Sequence, residues 1–264
     1  MGDLRKAVHP PGEPSGKYPA AVTLALAAGI PLEQFVRKHS LLPFHRTVTP
    51  KDADVDHGDP FKLDLIEHFG TRVWRQSMAM FCPDCVREDV SSRSFAYWRR
   101  SHQLPGVHWC IRHGCQLANN PIGKKAFDDM PRLEMSSHYE FSEKEFLEVL
   151  ANPVIQRYVE IAYAILDSRR ATPLIQARFR IAEEAKKHHL RVGARGQLPT
   201  LTDRLLEHVP IYWLKIMYPE IEQRSAGEFF NSIDNITLGL ATGPLVGYFQ
   251  FPEKWRTNRS RYAS

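Results

Sequence analysis

The chain has 264 residues, of which 43% are hydrophobic and 25% are charged, a composition that excludes a mostly disordered protein. Lys and Arg outnumber Asp and Glu by 35 to 30, and the resulting net charge of +5 is compatible with a polyanionic partner. The longest apolar run, at about residues 20–32, spans about 13 residues, whereas a membrane-spanning helix needs about 20. We therefore predict a cytoplasmic protein that makes no membrane contact.

The N-terminal part of the sequence predicts an arm followed by a pair of short helices. Residues 1–19 are rich in Pro and Gly, and we predict that they form a flexible arm. The apolar residues from Ala20 to about His39 predict two helices, with a break at Gly29–Pro31.

The four cysteines of the chain lie in one short stretch, at positions 82, 85, 110 and 115. In a cytosolic chain of this size, such a cluster indicates metal binding rather than a disulfide framework. Two knuckles, C-x2-C and C-x2-H, can close a tetrahedral zinc site, which predicts Cys82, Cys85, Cys110 and His113 as ligands. Because four protein ligands leave no position for water, we predict a structural zinc ion.

The fourth ligand has alternatives in the sequence. Cys115 offers a C-x4-C spacing from Cys110, and His102 and His108 are near in sequence. We favour His113 because it reproduces the two-residue gap of the first knuckle. In that case we expect Cys115 to be a small buried apolar residue.

Signals for helix starts recur after about residue 140, as capping boxes and as N-cap residues followed by proline. The C-terminal region, residues 141–264, is therefore predicted to be helical. The helix-start signals and predicted helices of this region are Ser142 with Glu145, Asn152-Pro153, Thr172-Pro173 before a helix to about Leu190, the pair Leu201–Val209 and Ile211–Tyr218, and Ser225 with Glu228.

The fold class predicted for the whole chain is mainly α-helical. A central small zinc-finger or zinc-ribbon-like subdomain is predicted at about residues 75–120, within a region spanning 20–140.

The residues around the knuckles resemble a known family. The pattern is Cys82-Pro83-Asp84-Cys85, then Tyr97-Trp98-Arg99, then the segment LPGVHWCIRHGCQL from Leu104 to Leu117. It resembles the TniQ family, the target-selection proteins of Tn7-like transposons, which include the TnsD proteins. The segment His39 to Val48 is similar to the Leu-Leu-Pro stretch of that family, and the resemblance covers roughly residues 35–120 well and 195–240 weakly.

The resemblance implies a non-enzymatic adaptor in the bacterial cytoplasm, associated with the nucleoid when it is bound to DNA. Members of the family bind double-stranded target DNA or a guide-RNA effector complex. They recruit an AAA+ transposition regulator and a transposase. By resemblance, we expect the present chain to select insertion sites, with zinc holding the recognition fold.

Basic residues interleaved with aromatic ones suit nucleic-acid contact independently of the family. The pair of helices flanking Pro210 predicts a helix-turn-helix near residues 198–240. The alternative is that Arg99 and Arg100 brace a neighbouring helix and that the tryptophans belong to the core of the zinc subdomain. The candidate DNA-binding residues are Arg93, Arg99, Arg100, Arg112, Arg178, Lys186, Lys187 and Lys215.

Two other functional classes compete with the DNA-binding adaptor. A zinc-ribbon protein-interaction module would use the same metal site without direct DNA contact. A zinc-dependent nucleic-acid enzyme would need an open metal position, and the sequence contains neither H-E-x-x-H nor a deaminase Pro-Cys-x-x-Cys motif preceded by His-x-Glu. We therefore predict no catalytic residues.

Overall fold

The computed structural model describes residues 20–45, 48–49, 79–120, 129–135, 139–168, 172–190, 197–199 and 201–217. The predicted arm at residues 1–19, the predicted capping box at Ser225 and residues 218–240 of the predicted helix-turn-helix region lie outside this part of the chain.

The described residues are mainly helical, as predicted from the sequence. The helices are α1 (Ala20–Ala28), α2 (Leu32–His39), α3 (Leu42–His45), α4 (Pro83–Arg93), α5 (Glu143–Ala151), α6 (Pro153–Leu166), α7 (Leu174–Lys187), α8 (Leu201–His208) and α9 (Ile211–Met217). Two 3-10 turns lie at Arg100–Gln103 and Leu133–Met135. The strands are β1 (Val48–Thr49), β2 (Ala79–Phe81), β3 (Ala118–Asn120) and β4 (Thr172–Pro173).

The break between α1 and α2 confirms the predicted helical pair. Gly29 ends α1 with a positive φ of +64°, a conformation that glycine adopts without steric cost. Pro31 then precedes the first residue of α2. Val36 on α2 is fully buried.

The two short antiparallel strands β2 and β3 bring distant parts of the central segment together. Ala79 pairs with Asn120, and Phe81 pairs with Ala118. The side chain of Gln103 ties the neighbouring 3-10 turn to β2, because its Nε2 donates to the Met80 carbonyl (2.6 Å) and its Oε1 accepts from the Met80 amide (3.0 Å). The end of β2 and the start of β3 therefore face each other, and the two knuckles connect to these ends.

The predicted caps of α5 and α6 are present in the structure. Ser142 and Glu145 form a reciprocal capping box at the start of α5. The Oδ1 atom of Asn152 accepts hydrogen bonds from the amides of Val154 and Ile155 at the start of α6.

The start of α7 differs from the prediction. Thr172–Pro173 forms strand β4, which pairs in parallel with β1, and the helix begins at Leu174 and ends at Lys187 rather than near Leu190. A residue before proline is disfavoured in the helical region, which keeps Thr172 extended. Pro173 takes the N-cap position without a side-chain cap.

One hydrophobic core joins the central segment to the C-terminal helices, on both sides of the predicted boundary at residues 140/141. The knuckle cysteines and the C-terminal helices are therefore packed against common neighbours. A smaller cluster, with Trp98 packed against Phe81, lies on the other side of β2. The main core includes Phe44, Met80, Cys82, Cys85, Leu104, Val107, Trp109, Cys110, Leu117, Phe141, Val149, Ile155, Tyr158, Ile161, Trp213 and Leu214.

The interpretation of the tryptophans as core residues holds for Trp98 and Trp109, since both pack against the hydrophobic clusters. None of the helices in the described ranges has the length and apolar character that crossing a bilayer requires.

Candidate metal centre

The first knuckle is built by a strand that runs into a helix. Strand β2 ends at Phe81, Cys82 is the N-cap of α4, and Pro83 occupies the first helical position. The Cys85 amide donates to Sγ of Cys82 at 3.3 Å. Both cysteines therefore lie at a helix N-terminus, where free amide groups and the helix dipole stabilise thiolates.

The second knuckle is a tight turn. The Gly114 amide donates to the Cys110 carbonyl (2.7 Å), and the Cys110 amide donates to the Cys115 carbonyl (2.9 Å). Gly114 has a φ of +66°, while a Cβ there would meet no atom within 4 Å, so conformation rather than space requires glycine. The turn brings the side chains of Cys110 and His113 to the same side.

The four predicted ligands lie together. One ligand atom from each of Cys82, Cys85, Cys110 and His113 lies within 4.8 Å of the other three. His113 Nδ1 is 3.3, 3.4 and 3.5 Å from the sulfurs of Cys82, Cys85 and Cys110, and the sulfurs of Cys85 and Cys110 are 3.7 Å apart.

These separations fit tetrahedral zinc. With metal–ligand bonds of about 2.3 Å for sulfur and about 2.0 Å for nitrogen, two sulfurs lie about 3.8 Å apart and a sulfur and a nitrogen about 3.5 Å. The observed separations of 3.7 Å and of 3.3 to 3.5 Å match both values. The cluster could therefore hold a zinc ion with little rearrangement.

Cys115 lies beside this cluster. The sequence predicts a buried residue at this position, whereas Cys115 is only partly buried and packs against the edge of the main core. Its sulfur is 3.3 Å from that of Cys82, which is closer than two ligands of one tetrahedral zinc ion stand. Cys115 and Cys82 also form a second group with Asp84. The geometry thus favours His113 over Cys115 as the fourth ligand.

The two other histidines near the knuckles do not join the ligand group. His108 is fully buried against the Phe141 ring, with centroids 4.8 Å apart, and neither ring nitrogen has a hydrogen-bond partner within the described ranges. Burial lowers the pKa of His108 to about 4, so its ring is neutral. His102 is buried next to the Cys110 thiol.

At Cys85, burial outweighs the effect of the helix N-terminus, and the environments of Cys85 and Cys110 both disfavour the thiolate unless a cation is bound. Burial raises the pKa of Cys85 to about 11. The neighbouring Cys82 thiol, followed by burial, raises the pKa of Cys110. Both thiols are therefore protonated at neutral pH in the metal-free protein, and a bound metal must displace their protons.

This proton displacement predicts a steep pH dependence of metal affinity. Because Cys85 and Cys110 must each lose a proton, lowering the pH favours the metal-free form. The apparent zinc affinity should fall about 100-fold or more per pH unit below neutrality. Competition with a chromophoric chelator between pH 6 and about 7.5 would measure the slope. An affinity that is independent of pH would contradict thiolate coordination.

The turn before the second knuckle is held by two aromatic residues from the C-terminal helices. The Tyr158 hydroxyl on α6 donates to the Pro105 carbonyl (2.8 Å), and Nε1 of Trp213 on α9 donates to the Gly106 carbonyl (3.3 Å). The two rings pack edge to face with centroids 5.2 Å apart. The Leu-Pro-Gly-Val segment is thus the surface on which α6 and α9 dock.

The eight predicted DNA-binding residues lie on several elements, and ion pairs with acidic side chains are described for six of them. Arg178 lies on α7 and Lys215 is exposed on α9. The ion pairs are Arg93 and Arg99 with Asp89, Arg100 with Asp167, Arg112 with Glu88, Lys186 with Glu183, and Lys187 with Glu184.

Arg99 and Arg100 have further internal contacts. Arg99 binds both oxygens of Asp89, at 2.8 and 3.0 Å, and its guanidinium lies 4.6 Å from the centroid of the Tyr97 ring. Arg100 donates to the carbonyls of Arg37 and Ser40 at the end of α2. These contacts match the alternative in which the two arginines brace neighbouring elements.

Glu88 and Asp89 are partners of site residues that were not predicted from the sequence. Glu88 Oε1 lies 3.0 Å from His113 Nε2. A signal was available, since Cys82-Pro83 is itself a helix start, and Glu88 follows Cys85 by three residues on the same helical face. Tyr158 and Trp213 carried no comparable signal, because their acceptors are backbone carbonyls.

The sequence matches the model of one protein family. The TniQ family model matches residues 3–117, a range that contains all four predicted zinc ligands. Neither the curated proteins nor the solved structures gave a match.

Proposed function

We propose, from the match of residues 3–117 to the TniQ family model, that the chain is a zinc-containing DNA-binding adaptor that selects target sites for a Tn7-like transposon. A match to this family implies a role in transposition. The observation that carries the zinc part of the proposal is the Cys82, Cys85, Cys110 and His113 cluster with tetrahedral separations.

Zinc in this proposal is structural. Cys82, Cys85, Cys110 and His113 supply all four ligands of a tetrahedral ion, so no coordination position remains for an activated water. This closed donor set supports a non-enzymatic adaptor. In the cell, the adaptor would recruit an AAA+ regulator and a transposase, or act with a guide-RNA effector complex.

DNA contact in this proposal is made by the exposed basic side chains. Arg93, Arg112, Lys186 and Lys187 are 54%, 64%, 65% and 53% exposed, so a phosphate can reach all four. The pairs of Arg112 and Lys186 are weak because their carboxylate partners are exposed as well, at 42% and 43%. Arg99 and Arg100 are only 21% and 22% exposed, and we assign them to bracing rather than to DNA.

A selection from a fragmented genomic DNA pool, with purified zinc-loaded protein at two salt concentrations, tests the proposal. Enrichment of one site that persists at the higher salt is the expected result. Uniform, salt-sensitive recovery would indicate phosphate contacts alone. Recovery of no DNA at either salt concentration would contradict direct DNA binding.

Variants that remove two exposed lysines on α7 test whether these side chains contact DNA phosphates. Replacing both Lys186 and Lys187 by Ala should weaken binding to all sequences about equally and should reduce the salt slope by about one unit for each phosphate that is no longer bound. The matched control replaces both Lys38 and Lys144 by Ala, since both lysines are also exposed and neither is among the predicted DNA-binding residues. Equal effects of the two double variants would contradict a specific contribution of α7.

The second candidate function is a zinc-ribbon protein-interaction module without direct DNA binding. The pairing of six of the eight predicted DNA-binding residues with acidic groups favours it. Salt discriminates between the two functions. Binding to phosphates weakens steeply with ionic strength, whereas an apolar protein interface does not.

A further inference from the structure

The carboxylate of Glu88 connects the two halves of the metal site. Glu88 lies on α4, one helical turn after Cys85 of the first knuckle. Its Oε1 is 3.0 Å from Nε2 of His113, and its Oε2 is 3.0 Å from the Arg112 guanidinium. One residue on the helix of the first knuckle therefore holds two consecutive residues of the second knuckle.

The two ring nitrogens of His113 have different partners. Nδ1 faces the three cysteine sulfurs at 3.3 to 3.5 Å, while Nε2 faces Glu88. A carboxylate only accepts hydrogen bonds, so its contact with Nε2 requires the proton on that nitrogen. The lone pair of a neutral ring is then on Nδ1, which points at the position a metal ion would take.

We propose that Glu88 is a positioning residue of the metal site, which fixes His113 in the tautomer protonated at Nε2 and directs Nδ1 at the zinc ion. The second carboxylate oxygen of Glu88 lies 3.0 Å from the exposed Arg112 guanidinium as an ion pair, without a hydrogen bond between them. The inference rests on the zinc site proposed above.

Zinc affinity of the full-length chain, measured by competition with a chromophoric chelator, tests this inference. Glu88→Ala removes the acceptor and should weaken zinc binding about 10- to 100-fold. Glu88→Gln retains a carbonyl acceptor for the Nε2 proton, so its loss should be clearly smaller than that of Glu88→Ala.

Glu160→Ala is the matched control. Glu160 is 54% exposed and pairs at 2.6 Å with Arg157 on α6, so the variant also removes one carboxylate–arginine pair at a site away from the metal ligands, although Arg157 is only 15% exposed. Its zinc affinity should equal that of the unmodified chain. If Glu88→Ala binds zinc as tightly as Glu160→Ala, the positioning role of Glu88 is wrong while the zinc site stands.

Observing the tautomer of His113 directly shows whether Glu88 positions the His113 ring or only stabilises the fold in general. In long-range proton–nitrogen NMR spectra of the zinc-loaded chain, His113 should show a metal-bound Nδ1 and a protonated Nε2. Coordination through Nε2 would overturn the inference. If the unmodified chain binds no zinc at all, both this inference and the proposed zinc site are wrong.

Discussion

Cys110→Ser is expected to abolish tight zinc binding and to unfold much of the core. Serine does not replace a thiolate ligand, and structural zinc contributes about 10–16 kcal/mol of apparent binding free energy in peptides. This contribution is as large as the whole free energy of unfolding of a typical domain, about 5–15 kcal/mol. Cys82, Cys85 and Cys110 belong to the same core as residues of α6 and α9, so the loss should reach the C-terminal helices.

Near-ultraviolet circular dichroism and tryptophan fluorescence would follow this change. Removal of zinc by a chelator should produce the same loss of signal in the unmodified chain, and Trp213 should become exposed to water. Cys115→Ser is the matched control, because Cys115 is the one cysteine outside the four-residue ligand group, and the variant should keep its zinc. Cooperative unfolding that is the same with and without metal would contradict a structural zinc ion.

Trp213→Ala is expected to lower the free energy of unfolding of the zinc-loaded chain by about 3–5 kcal/mol. Trp213 is 4% exposed, packs against Tyr158, and donates to the Gly106 carbonyl. Truncation leaves a cavity between α9 and the turn before the second knuckle, and it also leaves the Gly106 carbonyl without this donor. Denaturant unfolding monitored by circular dichroism would measure the change.

Two further variants make the Trp213 result interpretable. Trp213→Phe keeps an aromatic ring but loses the indole donor, so it should fall between the unmodified chain and Trp213→Ala. Leu147→Ala on α5 removes an exposed apolar side chain, 56% accessible, and should change stability by less than about 0.5 kcal/mol. If Trp213→Ala and Leu147→Ala had equal effects, α9 would not be docked on the turn.

The Cys/His cluster and most helix starts were predictable because each depends on residues close together in sequence. The two-residue gaps at Cys82 and Cys110 identify the knuckles, and the caps at Ser142 and Asn152 are satisfied locally. These features need no knowledge of tertiary contacts. Spacing alone also favoured His113 over Cys115, in agreement with the geometry.

The contacts between distant segments were not predictable from the sequence. Thr172 pairs with Val48 through backbone groups, for which the side chains give no signal. Arg99 and Arg100 look available for phosphates in the sequence, since their partners Asp89 and Asp167 come close only after folding. Charge counted along the sequence therefore overstates the number of free basic side chains.

The central claim is that Cys82, Cys85, Cys110 and His113 hold one structural zinc ion. Metal analysis combined with X-ray absorption on the purified full-length chain tests it most directly. The expected result is one zinc per chain with three sulfurs at about 2.3 Å and one nitrogen at about 2.0 Å, unchanged in Cys115→Ser. Four sulfur ligands, a coordinated water in place of a protein ligand, or no bound zinc would contradict it.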